Sequence, residues 1–199
     1  MAEYTSRGLA TRERIVAAAA ALIGERGVTA TSLDDVRNST GTSKSQLYHY
    51  FGDKHGLVLA VVQHTAGQVL QLQAQALDAV QTWDDLQRWC DMMVEGIESQ
   101  DMRGGCPVGT LAAALADTDE PSREALSAIF GMWREHITGA LRRLQRHGLL
   151  RPDADVEGLT TYALAAIQGG LLLSKTMRTS EPLRASLQGA VSLLRQHAS

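Results

Sequence analysis

Residues 41–54, GTSKSQLYHYFGDK, bring cationic, aromatic and hydrogen-bonding side chains together within fourteen positions. A lysine can bind phosphate, a serine or glutamine can hydrogen-bond to the edge of a DNA base, and a tyrosine or histidine can contact phosphate or a thymine methyl group. The residues with this chemistry are Lys44, Ser45, Gln46, Tyr48, His49 and Lys54. The segment therefore has the composition of a DNA-contacting surface.

A short helix over residues 43–51 is needed to present these side chains together. Ser43 is a suitable N-cap, and Gly52 ends the helix. Helical spacing places apolar and aromatic residues on the inner side, namely Leu47, Tyr50 and Phe51. The polar side chains then share the outer side.

A second short helix is predicted just before it, over residues 32–39. Ser32 can cap this helix, and Asp34 and Asp35 suit its positive N-terminal end. Gly41 supplies the turn between the two helices. Two short helices joined by a glycine-containing turn form a helix-turn-helix unit, whose second helix can enter the major groove of B-DNA.

A plain helical hairpin would give the same pattern, with the polar face of residues 32–51 in contact with water alone. The charge does not decide between the two interpretations. The chain has a formal net charge of -3, and residues 1–56 contain seven Lys or Arg against six Asp or Glu. This balance permits a nucleic-acid-binding N-terminal part without requiring one.

Helical signals continue along the rest of the chain, and the alternating patterns typical of strands are nearly absent. The predicted helices cover residues 9–26, 32–39, 43–51, 54–80, 83–100, 107–117, 121–147, 155–177 and 181–197. The sequence thus predicts an all-α protein of about nine helices. We expect a three-helix, helix-turn-helix domain over residues 1–53 and a larger helical domain over residues 54–199.

The composition is that of a globular protein, with 44% hydrophobic and 21% charged residues. No apolar stretch reaches the roughly 18 residues that a membrane span requires, and the first residues lack the pattern of a secretory signal. The two cysteines, Cys90 and Cys106, form no spaced framework. We therefore expect a cytoplasmic protein without a membrane partner.

The run from Thr11 to Leu57 resembles the N-terminal domain of the TetR family of transcriptional regulators. The matching residues, in the family's order, are Ile15, Gly27, Thr31, Ser32, Asp34, Asp35, Gly41, Ser43, Lys44, Leu47, Tyr48, Phe51 and Lys54. Two positions depart from the pattern, because Arg37 stands where the family commonly has alanine and Thr42 where it commonly has valine. Arg37 is an additional candidate for a phosphate contact.

The resemblance implies that double-stranded operator DNA is a partner of this chain. Lysine side chains would hold phosphates, while Gln46 would contribute to base preference. The predicted DNA-binding residues are Thr31, Ser32, Arg37, Thr42, Ser43, Lys44, Ser45, Gln46, Tyr48, His49 and Lys54.

The resemblance also implies an effector-binding and dimerisation domain, with a homodimer built mainly from the last two helices. The predicted helices at residues 155–177 and 181–197 carry apolar and small residues at helical spacing, as close helix packing requires. The same stripes are compatible with a core inside one chain. A dimer would hold two recognition helices roughly 34 Å apart, on one face of the DNA.

A small organic effector is the second partner that the resemblance implies. A binding site for it requires aromatic and polar residues within core-facing stripes. The candidate ligand-binding residues are His64, Trp89, Met93, Cys106, Phe130, Trp133, Tyr162 and Gln168. Each is also compatible with ordinary core packing. Cys106, just before Pro107 at a helix start, is either a reactive thiol or a small buried residue.

Sequence patterns of enzymatic chemistry are not found. The histidines are not spaced as metal ligands, and there is no nucleophile elbow, phosphate-binding loop or dinucleotide fingerprint. We predict no enzymatic activity, no cofactor and no metal. The predicted function is a ligand-responsive DNA-binding regulator, a repressor released by a small organic molecule. The alternative is an all-helical carrier or enzyme with a purely structural N-terminal hairpin.

Overall fold

The computed structural model describes residues 5–199 and contains nine α-helices in that range. They are α1 (Ser6–Arg26), α2 (Leu33–Thr40), α3 (Lys44–Phe51), α4 (Lys54–Asp78), α5 (Trp83–Glu98), α6 (Pro107–Leu115), α7 (Glu120–Arg146), α8 (Val156–Met177) and α9 (Glu181–Arg195). Residues 5–199 form no β-strand, only an isolated bridge between Leu150 and Ala198. The prediction of an all-α fold is confirmed.

Capping side chains set several of the helix boundaries. The Thr5 hydroxyl accepts a hydrogen bond from the Gly8 N–H at 3.2 Å, so α1 begins at Ser6 rather than at residue 9. Thr82 caps α5 in the same way, and its partner Asp85 completes a capping box. These bonds satisfy N–H groups that have no partner within the first turn of a helix.

The chain divides into two compact units that differ from the predicted domains. The first contains residues 5–68 and Thr110–Ala128, and the second contains Val69–Gly109 and Ile129–Ser199. Helices α4, α6 and α7 therefore contribute residues to both units. The division at residues 53 and 54 stays a prediction.

The core of the first unit positions the two short helices. Helix α1 packs against α2, and α2 packs against α3. Helix α1 buries one apolar side, which consists of Ile15, Val16, Ala19 and Ile23. Helix α2 buries Val36, and α3 buries Leu47 and Phe51. Tyr50, beside Phe51, is half-buried, and the polar side chains of α3 lie on the opposite, exposed side.

Helices α8 and α9 form the most extensive helix pair of the second unit. A Cβ atom built on Gly170 would lie 2.9 Å from the Cα atom of Leu183, which is closer than side chains normally approach. The Ser174 hydroxyl oxygen accepts a hydrogen bond from the Leu183 N–H at 3.0 Å. Glycine at position 170 therefore allows the two helices to cross at short distance.

Within residues 5–199, α8 is long and apolar enough by composition to cross a membrane. No such segment was predicted, because α8 contains no unbroken apolar run of that length and meets the criterion only by its mean hydropathy. One side of α8 packs against α9, and core helices pass the same compositional test.

Candidate nucleic-acid interface

A reciprocal pair of hydrogen bonds fixes the start of α3. The Ser43 hydroxyl accepts a bond from the Gln46 N–H at 3.2 Å, and the Gln46 Oε1 atom accepts one from the Ser43 N–H at 3.1 Å. Gly41, with φ of 65°, adopts the left-handed conformation that turns the chain out of α2. The predicted helix-turn-helix geometry is thus built by local hydrogen bonds and one glycine.

Two arginines of α1 hold the helix pair in place. The Arg14 Nη1 group donates to the carbonyl oxygen of Thr40 at 2.5 Å, at the C-terminal end of α2. The Arg12 guanidinium carbon lies 5.4 Å from the centre of the Phe51 ring, at the end of α3. Neither arginine was predicted, since their partners lie more than twenty residues away and no local pattern indicates them.

The outward side of α3 is a continuous exposed surface, which we call the α3 face. It consists of Ser43, Lys44, Ser45, Gln46, Tyr48 and His49. The Lys44 Nζ atom lies 5.9 Å from the centre of the Tyr48 ring, so a cation and an aromatic ring share one part of this surface. Five of these residues, Lys44, Ser45, Gln46, Tyr48 and His49, were predicted to share the outer side of the helix, and the N-cap Ser43 lies beside them.

The two cationic candidates outside the α3 face, Arg37 and Lys54, make weak polar contacts within the chain. Arg37 forms an exposed ion pair with Asp34 at 2.9 Å, one turn earlier in α2. Such exposed pairs contribute little free energy, so the guanidinium can exchange this partner for a phosphate. Lys54 Nζ lies 3.5 Å from the Thr29 carbonyl oxygen.

Ser32 is exposed but engaged in capping α2. Its hydroxyl donates to Asp35 Oδ2 at 2.5 Å and accepts a bond from the Asp35 N–H at 3.1 Å. Bonds from the Ser32 hydroxyl and then from its N–H lower the pKa of the Asp35 carboxyl group. Asp35 therefore remains a carboxylate. The Ser32 hydroxyl already donates and accepts one hydrogen bond in the cap, so only its remaining lone pair is available to DNA.

Thr31 and Thr42 are buried and do not belong to the α3 face. The Thr31 hydroxyl donates to the Gly27 carbonyl oxygen at 2.9 Å, whereas the Thr42 hydroxyl has no hydrogen-bond partner within residues 5–199. Their burial does not support the predicted side-chain contact with DNA. Thr42 fills a position inside the turn, which explains why a valine suits the same place.

The candidate ligand-binding residues fall into different environments. Trp89, Met93, Cys106 and Trp133 are buried, and Phe130 and Gln168 are partly buried, all in the second unit. His64 is partly buried in the first unit. Tyr162 is 49% exposed on the outer side of α8, because its place on the helix lies opposite the buried stripe. The structure therefore does not place Tyr162 in a core-facing position.

A small apolar cavity of about 20 Å³ lies inside the second unit. Its lining consists of Leu77, Leu86, Trp89, Cys90, Ile137, Ala140, Leu141, Ala163, Ile167, Leu187, Ala190, Val191 and Leu194. An open groove of about 220 Å³ also includes Trp89 in its lining, together with Met92 and Arg88. Pockets that hold organic ligands usually measure roughly 300–1,000 Å³. An effector bound there would therefore have to enlarge the cavity, whose lining includes Trp89 but neither Trp133 nor Gln168.

Two candidate residues carry buried donors without partners. The Trp133 Nε1 and Gln168 Nε2 atoms make no hydrogen bond of good geometry to any residue in the range 5–199, although the Gln168 side chain lies beside the Cys106 thiol. The Trp89 Nε1 group, in contrast, donates to Gln73 Oε1 at 2.8 Å and is satisfied. An unpaired buried donor is unfavourable, so an acceptor group brought by a ligand would be stabilised at Trp133 or Gln168.

The environment of Cys106 is that of a protected thiol. Its sulfur accepts a hydrogen bond from the Gly109 N–H at 3.3 Å, in the first turn of α6. Burial nevertheless raises the pKa of the Cys106 thiol, because a thiolate would lose its hydration there. Of the two readings of Cys106, burial favours the small structural residue at the helix start.

Groups of three or more His, Cys, Asp or Glu side chains arranged to hold a metal ion do not occur between residues 5 and 199. The α3 face offers hydroxyl, amide, phenol, imidazole and ammonium groups to a partner. That combination suits phosphate oxygens and the hydrogen-bonding edges of bases.

Comparison with known proteins finds family models for both parts of the chain. A model described as bacterial regulatory proteins, tetR family, matches residues 15–61. A model described as transcriptional regulator LmrA/YxaF-like, C-terminal domain, matches residues 82–188. Together they cover most of the chain, including the α3 face and helix α8.

Two curated relatives and one solved structure are similar along nearly the whole length. The HTH-type transcriptional regulator YxaF of Bacillus subtilis (strain 168) is 30% identical over 181 residues, which make up 90% of this chain and 92% of YxaF. An HTH-type regulator from the lacX 3' region of Lactococcus lactis subsp. lactis is 32% identical over 174 residues, 83% of each chain. The crystal structure of a TetR transcriptional regulator from Chloroflexus aurantiacus J-10-FL superposes with a TM-score of 0.84 at 29% identity, covering 98% of both chains.

Proposed function

The chain belongs to the TetR family and is a DNA-binding transcriptional regulator, and from this premise we propose that it is a repressor released from its operator by a small organic molecule. The observation that carries this proposal is the α3 face, where six polar or aromatic side chains are exposed together at the tip of a helix-turn-helix. A repressor of this kind occupies operator DNA and excludes other proteins from it. We propose that it does so in the cytoplasm.

The proposed contacts divide into those that hold the backbone and those that select bases. Lys44 and Lys54 bind phosphates, and Arg37 adds a third cationic contact from α2. Ser45 and Gln46 lie where a helix inserted in the major groove meets base edges. Ser32, Ser43, Tyr48 and His49 complete the set as phosphate or thymine-methyl contacts. The width of the major groove matches one α-helix, so α3 can enter it without unfolding its neighbours.

We propose that the homodimer forms through the outer sides of α8 and α9. On α8 this side carries Tyr162, Leu172, Leu173 and Met177, which are large and exposed. Small residues lie on the exposed side of α9, including Ala185 and Gly189. A large apolar surface beside small residues is the composition of a helix–helix interface between subunits. A symmetric pair would present two α3 faces to successive major grooves.

The effector is proposed to bind in the second unit, near Trp133 and Gln168. Trp133 carries a buried donor that lacks a partner in the range 5–199, and the Gln168 amide has only a weak contact with the Cys106 thiol, which favours a ligand with carbonyl, carboxylate or other acceptor oxygens. Trp89, Met93 and Phe130 would contribute apolar contacts to its carbon skeleton. His64 remains a prediction without a contact that supports it, whereas the Cys106 thiol lies beside the Gln168 side chain.

Helices α4 and α7 are the proposed route from the effector to DNA. Trp133 lies on α7, and in the first unit Asp119, just before α7, has its Oδ2 atom 3.5 Å from His55 Nδ1 on α4. His55 is adjacent to Lys54, a proposed phosphate ligand. A ligand that prefers the conformation with displaced α4 would shift the population away from the DNA-binding state, provided that it prefers that state by a few kcal/mol.

The test begins by selecting duplexes that the protein retains from a random pool. The selected site is placed upstream of a reporter, and small organic molecules with acceptor oxygens are screened for release of the DNA. We expect the protein to lower reporter expression and at least one compound to restore it. Trp133→Phe removes the unpaired donor but keeps an aromatic ring. This variant should need a higher concentration of the compound to release the DNA. Higher expression in the presence of the protein would contradict repression, and DNA binding unchanged by a compound that binds the protein would contradict release.

A further inference from the structure

Gln46 lies within the α3 face, and only half of its side-chain amide is available to DNA. The Oε1 atom accepts hydrogen bonds from the Ser43 N–H at 3.1 Å and from the Ser43 hydroxyl at 3.2 Å. A backbone N–H can only donate, so the atom facing it must be the amide oxygen. The Nε2 group, with two N–H donors, is the part of the amide left for a partner.

The oxygen cannot turn toward DNA without a loss elsewhere. Releasing Oε1 would leave the Ser43 N–H without its capping partner at the start of α3. The Ser43 hydroxyl, which accepts the Gln46 N–H at 3.2 Å, could then donate to the Ser45 Oγ atom at 3.0 Å, so the loss would fall on the Ser43 N–H. The capping box and a two-point contact with a base therefore compete for the same oxygen atom.

This competition has a consequence for base selection. A glutamine normally recognises adenine through two bonds, its oxygen accepting from N6 and its nitrogen donating to N7. A group that only donates instead suits an edge that only accepts, such as N7 and O6 of guanine or O4 of thymine. Cytosine, which presents the N4 amino group, offers no acceptor in the same place, and adenine offers N7 beside an N6 amino group that opposes the amide donors.

We propose that Gln46 selects an acceptor edge, guanine or thymine, at one position of each half-site. The proposal rests on the proposed function, because it requires α3 to lie in the major groove. It assigns Gln46 a specificity-determining role that follows from the capping box and not from the amide alone.

The decisive variant is Gln46→Glu. A glutamate in this position can accept the Ser43 N–H and so keeps the capping box, whose usual form pairs serine with glutamate. It has no donor to offer a base, and its second oxygen accepts from the amino group of cytosine or adenine. Asn38→Asp is the matched control, since it adds the same charge to an exposed position of α2, outside the α3 face.

Each protein is used to select bound duplexes from a random pool, and the selected half-sites are compared. We expect one guanine or thymine position to change to cytosine or adenine with Gln46→Glu, while Asn38→Asp weakens binding without changing any preference. If that position is adenine in the unaltered protein, or if no position changes, the proposal is wrong. If the unaltered protein enriches no sequence at all, the proposed function fails instead.

A second measurement uses the unaltered protein and modified DNA, and so does not depend on how the variant folds. Each guanine of the half-site is replaced in turn by 7-deazaguanine, which lacks N7, and each thymine by 4-thiothymine, which replaces O4. One replacement per half-site should weaken binding about ten-fold, and the same replacement should have little effect on Gln46→Ala. The base that responds identifies guanine or thymine as the partner. Equal losses in the unaltered protein and in Gln46→Ala would overturn the proposal.

Discussion

Thr42 places a hydroxyl group where the structure offers it nothing to bond. The residue is 4% exposed, and its Oγ1 atom has no partner among residues 5–199. Replacing it with valine keeps the shape and removes the unpaired group. We expect Thr42→Val to raise the free energy of unfolding by about 1 kcal/mol in urea denaturation.

Thr31 provides the matched control, because its buried hydroxyl donates to the Gly27 carbonyl oxygen. Thr31→Val should therefore lower the free energy of unfolding by about 1 kcal/mol. If both substitutions change stability in the same direction, hydroxyl pairing does not explain either one.

The two cysteines should be unreactive in the folded protein. Burial, assisted by the nearby charge of Asp91, raises the pKa of the Cys90 thiol to about 12, and burial raises that of Cys106. At pH 8 both groups are then neutral thiols, which are poor nucleophiles. We expect a disulfide reagent such as DTNB to label the native protein far more slowly than the urea-unfolded protein.

The raised pKa values of the two thiols also determine the direction in which stability changes with pH. The thiolates are disfavoured in the folded state. The contribution of the neutral thiols to the free energy of unfolding is therefore retained below the unfolded-state pKa of about 9 and is lost as pH rises above it.

Rapid labelling of one cysteine in the native protein at pH 8 would show that its thiol is not protected.

The junction between α3 and α4 depends on the absence of a side chain at Gly56. A Cβ atom built there would lie 2.0 Å from the Phe51 carbonyl oxygen, a backbone atom at the end of α3. Although alanine normally favours a helix, we expect Gly56→Ala to lower the free energy of unfolding by about 1–3 kcal/mol, because α3 or α4 must shift. DNA affinity should fall with it, since α3 would be displaced.

Gly67, on the same helix, is the control for helix propensity. A Cβ atom there has no neighbour within 4 Å, so Gly67→Ala should raise stability by up to about 1 kcal/mol. Urea unfolding and DNA binding of both variants provide the measurement. Equal stabilisation by both would mean that the junction tolerates a side chain.

The helix boundaries could be predicted from local sequence signals, whereas contacts between residues distant in the sequence could not. The glycines at 27, 41 and 52 and the caps Ser32 and Ser43 mark helix ends within a few residues. The polar side of α3 also follows from the sequence, because Leu47 and Phe51 fix the buried side by their spacing. The contact between Arg14 and the Thr40 carbonyl oxygen could not be predicted, since nothing near either residue indicates the other.

The burial of polar residues could not be predicted from the sequence either. Thr31 and Thr42 were assigned to DNA by their place in the motif, whereas their burial depends on packing that spacing does not reveal. Tyr162 was assigned to the core because its neighbours on α8 are apolar on both sides of the helix. A helix with two apolar sides can pack internally on one and carry a subunit interface on the other.

At the scale of the whole molecule, the proposed dimer should depend on the outer side of α8. Leu172 is 64% exposed there. A glutamate in its place would bury a charge in the interface, so we expect Leu172→Glu to be monomeric in light scattering and to bind operator DNA weakly. One α3 face would then act alone.

Leu72, on α4, is 67% exposed and serves as the control. Leu72→Glu introduces the same charge at equal exposure and should leave the assembly state unchanged. A monomeric unaltered protein, or a dimer that survives Leu172→Glu, would rule out this interface.

The salt dependence of DNA binding tests the role of the α3 face most directly. Phosphate contacts release counterions, so affinity for the selected duplex should fall steeply as salt rises. Lys44→Ala should weaken binding and reduce the slope of log affinity against log salt by about one for each subunit, whereas Arg146→Ala, which removes an exposed charge on α7, should leave both unchanged. Equal slopes for the unaltered protein and Lys44→Ala would contradict a phosphate contact by the α3 face.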